Sequence, residues 1–272
     1  MKITSKLIAI MLILACVLTF AACDNTDNGQ GTEGSSDANN ESGGELVFEL
    51  SHDGDYYMIM DAGTFRGKEL LIPAEYNGVA VKSIENCAFE NRTDIEKVII
   101  PEGIEYVGNF AFSGCTSLKS VSVPTSVTRL EDGVFSGCSA LVEVKLHDGI
   151  VEMGQSVFAN CTSLKTIKLP ASIKAVSGQL FKGCSALESI VIPEGVEKIQ
   201  TFSFSGCKSL SEITIPASVV RIEFKTFESC SALTSIDFGG TVADWRNIKT
   251  SPQWNVGTGD YTVYCSNGEL GK

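Results

Sequence analysis

The chain has 272 residues, 43% of them hydrophobic, which is enough for a packed domain with accessory segments. Its net charge is −12 and it has no Lys/Arg run, which argues against nucleic acid and against docking on anionic lipid. Only two histidines are present, so His-dependent chemistry has few starting points.

Residues 1–22 read as a signal peptide. Lys2 and Lys6 form the charged start, and residues 7–22 are almost all apolar but short for a bilayer span of about 20 residues. The run ends in Phe20-Ala21-Ala22-Cys23. Residues 24–45 follow with six acids, no base and almost nothing apolar. Such a stretch buries too little surface to offset its ordering entropy and is expected to be a disordered tether. Stretched fully, it would reach about 75 Å.

Residues 46–60 read as a hairpin around His52-Asp53-Gly54-Asp55, with Asp-Gly as the turn signal. Calcium binding by Asp53 and Asp55 would need further ligands. Residues 46–91 form an N-terminal cap.

From there a 23-residue period dominates. Phe recurs at 89, 112, 135, 158, 181, 204 and 227, and Cys at 115, 138, 161, 184, 207 and 230. A fixed period of this length means a solenoid of stacked coils, expected over residues 92–245. With Cys as position 1, apolar residues hold positions 4, 7, 9, 13, 16 and 21. Positions 7 and 9 alternate with polar 6 and 8, a short strand with one face inward, and Pro at position 10 ends it in most units. Positions 13 and 16 place two more inward side chains on the return path. Position 23 is mostly Gly and suits a left-handed turn. No segment has long helical periodicity; any helix would be a single turn at positions 17–21. The fold class is therefore mainly β, with a parallel sheet on one face and an N-terminal hairpin cap.

The ladder cysteines share one position in successive coils, so their Cβ vectors are parallel rather than convergent. A stack of buried thiols fits better than disulfides. No C-x-x-C pair occurs, so zinc is not expected. Past Cys230 the phase holds through Ile236, Phe238, Val242 and Trp245, which reads as an inward plug. Residues 246–272, with Trp254, Tyr261, Tyr264 and Cys265, lose the phase and read as an irregular C-terminal cap.

The repeat, over about Arg92 to Trp245, resembles the BspA-like leucine-rich repeats of bacterial surface proteins. The resemblance rests on Cys, then Leu at 4, β-branched or Leu residues at 7 and 9, Pro at 10, and Phe at 21. Arg92 at a Cys position and His147 at a Pro position depart from it. Ile72-Pro73 followed by Tyr76-Asn77-Gly78-Val79 looks like the longer first repeat of that family. The resemblance implies a curved right-handed solenoid, export, and a role in adhesion or recognition. The Phe-Ala-Ala-Cys run resembles the bacterial lipoprotein cleavage box, in which Cys23 becomes the lipidated N-terminus. That implies anchoring to the outer face of a bacterial membrane, touching it only through the lipid. Plain secretion and an uncleaved anchor are the alternatives.

No triad, P-loop, dinucleotide fingerprint or carboxylate pair is recognisable, and His147-Asp148-Gly149 reads as a turn. An enzyme is not expected, nor any cofactor or metal. The candidate surface is the outward positions 5, 6 and 8. There Lys119, Lys145, Lys165 and Lys168 cluster on adjacent coils, against the plainer reading of a solvated sheet face. Trp254 is the second candidate, as a platform for sugar rings or simply as cap packing. Three functions compete: recognition of a protein or an extracellular or wall polymer by the repeat sheet, carbohydrate binding by the C-terminal aromatics, and a structural envelope spacer. A monomer is expected.

Overall fold

A computed structural model describes residues 44–272. The expected signal peptide, the Cys23 lipidation site and the acidic tether up to residue 43 lie outside the described residues. The fold follows from the repeat: a short strand with one apolar face cannot bury that face alone, so each coil buries it against its neighbours.

The main sheet is built from positions 6–8. Glu69–Leu71, Lys97–Ile99, Ser120–Ser122 and Glu143–Lys145 pair in parallel. A second stretch continues with Ser189–Val191, Glu212–Ile215, Ser235–Phe238 and Thr262–Cys265, again parallel, and Gly268–Gly271 folds back antiparallel. Ile190, Ile213, Ile236 and Val263 fall in register, all buried. The return path adds a second row of parallel strands, each two residues long in the regular coils. Arg129–Leu130 pairs with Glu152–Met153, and Ala175–Val176 is followed by Lys198–Ile199, Arg221–Ile222 and Lys249–Thr250.

The third face, positions 17–23, consists of turns. No helix forms there among the described residues. Two residues per coil adopt left-handed backbone instead. Position 23 does so as expected, at Asn91, Gly114, Gly137, Asn160, Gly183, Gly206 and Ser229. Position 19 does so too, at Cys87, Phe110, Gly133, Ser156, Gln179, Phe202 and Lys225. These reversals leave the N–H of each position 21 free to bond the next coil. Phe112 donates to the Val134 carbonyl at 2.9 Å, Phe158 to Leu180 at 3.0 Å and Phe204 to Thr226 at 2.9 Å.

Behind this face the seven Phe rings form one stack, with centroids 5.1 to 5.9 Å apart and planes within 13° of parallel. All are fully buried, as is every ladder Cys. The six thiols are free, and each donates to the carbonyl of the Phe 26 residues earlier at 3.0 to 3.2 Å. Where Arg92 replaces the first Cys, its guanidinium donates to the Phe65 carbonyl at 2.5 Å. Phe65, buried one residue out of period, begins the core.

The caps follow the same logic. Val47–Leu50 and Tyr57–Asp61 form the antiparallel hairpin, and Ser51 Oγ accepts the Asp55 and Tyr56 N–H groups at the turn. At the other end the phase is not lost. The last coil is four residues longer, since Val263 sits against Ile236 27 residues before it. The added length forms an α-helix, Val242–Asn247, closed by a Thr241–Asp244 capping box. Trp245 therefore does not take position 16 of a regular coil, where Thr250 stands opposite Ile222, although it still packs against the core. It lies half-buried on this helix, against Phe238 and Trp254 at 5.2 and 6.3 Å.

Candidate sheet-face recognition surface

Position 7 points into the core, so positions 6 and 8 face solvent, with position 5 beside them. The outward row at position 8 runs Leu71, Ile99, Ser122, Lys145, Lys168, Val191, Thr214, Asp237 and Tyr264. It carries apolar side chains open to water: Ile99 is 41% exposed and Val191 62%.

The four expected lysines do share this face, but three are in ion pairs. Lys119 sits 2.5 Å from Glu96, which also takes Lys68 at 2.8 Å. The two ammonium groups bonded to Glu96, Lys119 foremost, hold its carboxyl down at about 2. Lys165 pairs with Glu188 at 3.1 Å and Lys145 with Glu143 at 3.1 Å. Lys168 makes no ion pair among the described residues. Glu96, Glu143 and Glu188 are thus part of the surface, and a reading centred on lysines overlooks them. The signal for two of them was available, because Glu96–Lys119 and Lys165–Glu188 each repeat one position at the 23-residue spacing. Such exposed pairs add little stability but fix the pattern of charge a partner meets.

Around Lys145 and Lys168 the sheet is interrupted. Residues 166–168, the expected next strand, pair with neither neighbour, so the sheet stops at Lys145 and resumes at Ser189. The inward residues Val144, Leu146 and Ile167 are only half-buried, while Val121, Ile190 and Ile213 are buried. His147 stands where other coils have Pro. Its Nδ1 accepts the Gly149 N–H and its Nε2 donates to the Val127 carbonyl, both at 3.1 Å.

Trp254 is turned into the cap. Its carbonyl accepts the Phe227 N–H at 2.8 Å, the bond Thr226 makes for Phe204. Its half-buried ring meets Phe227, Trp245 and Tyr261 edge-on at 5.9 to 6.3 Å. His52 is exposed in the hairpin turn with Asp53 and Asp55. Among the described residues no group of three or more His, Cys, Asp or Glu gathers as metal ligands, and no helix is long and apolar enough to cross a membrane. Burial pushes the Cys115, Cys184 and Cys230 thiols up to about 12, and raises Cys138, Cys161 and Cys207 well above the usual range. They are therefore inert as nucleophiles.

Residues 69–188 and 174–248 match a family model described as a BspA type leucine rich repeat region, in six copies. Solved structures share the fold. A leucine rich repeat protein of T. pallidum is 24% identical, with a TM-score of 0.60, over 76% of this chain and 87% of that one. A leucine-rich repeat protein from Bacteroides ovatus is 22% identical, with a TM-score of 0.52, over 78% and 68%. A leucine rich cell surface protein from Faecalibacterium prausnitzii is 19% identical, with a TM-score of 0.50, over 80% and 98%. No curated protein matches the chain.

Proposed function

Because the chain belongs to the BspA-type leucine-rich repeat family, we propose that it is a non-enzymatic recognition protein of the bacterial cell surface. It binds another protein or an extracellular or wall polymer through the outward positions of its main sheet. The observation that supports this reading is the face itself. It combines paired charges, small hydroxyl side chains and exposed Ile99 and Val191 on short strands backed by buried side chains such as Val121, Ile190 and Ile213. Varied side chains on a fixed spacing suit recognition, since the ordering cost of the surface is met in folding. Lipidation at Cys23 would tether this surface to the outer face of the membrane. The sugar-binding alternative draws less support, because the Trp254 ring is occupied by Phe227, Trp245 and Tyr261.

The test is capture of components from the native envelope on the full chain. Ser189→Arg with Ser211→Arg, both on the outward face, should abolish capture. Lys208→Glu, exposed at a turn outside positions 5, 6 and 8, should leave it intact. Capture that survives the first pair, or is lost equally with Lys208→Glu, would sink the reading.

A further inference from the structure

Five consecutive backbone N–H groups, those of residues 165–169, donate to no protein group among the described residues. The same positions elsewhere are bonded: Lys119 N–H to the Glu96 carbonyl and Val123 N–H to the Lys145 carbonyl, both at 3.0 Å. The carbonyls of Thr166, Ile167 and Lys168 accept nothing either. In the second strand row the ladder also stops between Glu152–Met153 and Ala175–Val176, although side-chain hydrogen bonds cross there. The turn face is uninterrupted: Ser156 N–H meets the Gly178 carbonyl and Phe158 N–H the Leu180 carbonyl, each at 3.0 Å. The return path is still bridged by side chains, with Ser172 Oγ donating to the Ile150 carbonyl, Ser177 Oγ to the Met153 carbonyl and Ala171 N–H to Asp148 Oδ1. Among the described residues, only the strand face is left without backbone pairing or such a bridge.

A charge contrast stands at the gap. Lys145, paired with Glu143 on its own strand, and Lys168 occupy position 8 of adjacent coils, and like charges placed opposite each other disfavour pairing. Along the outward rows at positions 5, 6 and 8, no other neighbouring pair carries like charges.

We propose that this seam is the docking site for an extended acidic peptide segment of a protein partner. Its backbone bonds the free groups of residues 165–168, and its carboxylates bridge Lys145 and Lys168. Three features favour a peptide over a bare polyanion. The seam offers both donors and acceptors, which an added strand satisfies and a phosphate or uronate chain does not. Val144, Leu146 and Ile167 are half-open and would cover the alternate side chains of a strand. Lys168, with no ion pair of its own, supplies an unspent charge. The inference rests on the sheet-face reading above and names the partner class for it.

The test is amide hydrogen exchange on the full chain with an acetylated peptide of alternating Glu and Val at about 1 mM, the concentration suited to a weak contact. Amides 165–168 should slow by about tenfold or more, with those of Ser189–Val191 unchanged. A Lys-Val peptide should not protect them, and inorganic polyphosphate should protect them less. Lys168→Glu sets opposite charges across the seam, so it should slow these amides without peptide and weaken peptide binding about tenfold. Lys168→Gln should fall between. No protection by the Glu-Val peptide, equal protection by polyphosphate, or unchanged exchange in Lys168→Glu would each overturn the proposal. If the peptide instead protects other outward strands, the seam assignment fails while the sheet-face reading stands. Loss of the sheet-face reading itself is read separately, from the Ser189→Arg/Ser211→Arg capture.

Discussion

The turn face and the strand face are built from the same coils but differ in what repeats. On the turn face, Phe stacks on Phe and each Cys thiol reaches the carbonyl of an earlier Phe, coil after coil without a break. On the strand face the residues change from coil to coil, and pairing fails at residues 166–168. The difference teaches that regularity in this chain marks burial. A position that meets the same environment in every coil keeps one residue type; a position that meets water does not need to.

The sharpest way to break that contrast is to remove one ring from the stack. Phe158→Ala should cost about 3–5 kcal/mol through the cavity it leaves. Val191→Ala on the strand face, where the side chain is 62% exposed, should cost about 0.5 kcal/mol or less. Urea midpoints that shift equally would show the two faces to be energetically alike. Next comes Gly133. Its φ is +62°, and an added Cβ would lie 2.3 Å from Cε1 of the Phe110 ring. Gly133→Ala should destabilise by about 1–3 kcal/mol, with partial recovery in Gly133→Ala/Phe110→Ala. A double variant no better than the single one would place the cost in the backbone alone.

Smaller is the thiol bond. Cys161→Ala, which leaves the Phe135 carbonyl without its S–H donor, should cost about 1 kcal/mol. Cys161→Ser should recover part of that, again by urea midpoint. Smallest is the strand-face carboxylate Glu96. Lys119 and Lys68 lower its folded pKa to about 2 from 4.5, so its contribution is present above that upper value and fades as pH falls between the two. An NMR titration should find the Glu96 midpoint near 2, and Lys119→Gln should raise it toward 4.5. An unmoved midpoint would separate Glu96 from Lys119.

The core was legible in the sequence because each buried position repeats at one spacing: Phe, Cys and Leu can be aligned by eye and then stacked. Position 19 was not. Its left-handed backbone is visible as Gly only at Gly133, while Phe110, Gln179, Phe202 and Lys225 adopt it without any residue signature. The end of the solenoid was hidden by length. The helix inserted at Val242–Asn247 shifts the count, so a coil that continues looks like one that stops. On the candidate surface, residue types and the outward face were legible, whereas the neutralisation of Lys145 was not. Its partner Glu143 lies two residues away on the same strand rather than at the repeat spacing. The gap at residues 166–168 leaves no mark in composition or in the repeat spacing.

The thiol ladder has a temporal consequence. In the unfolded chain six cysteines at even spacing are free to react, and any two can be joined by an oxidant. Once a coil closes on its neighbour, its thiol is occupied by a carbonyl, removed from water and raised far from its reactive form. Folding in an oxidising compartment is therefore a race between coil closure and sulfur chemistry. Each coil that closes takes one cysteine out of the contest, so protection accumulates coil by coil.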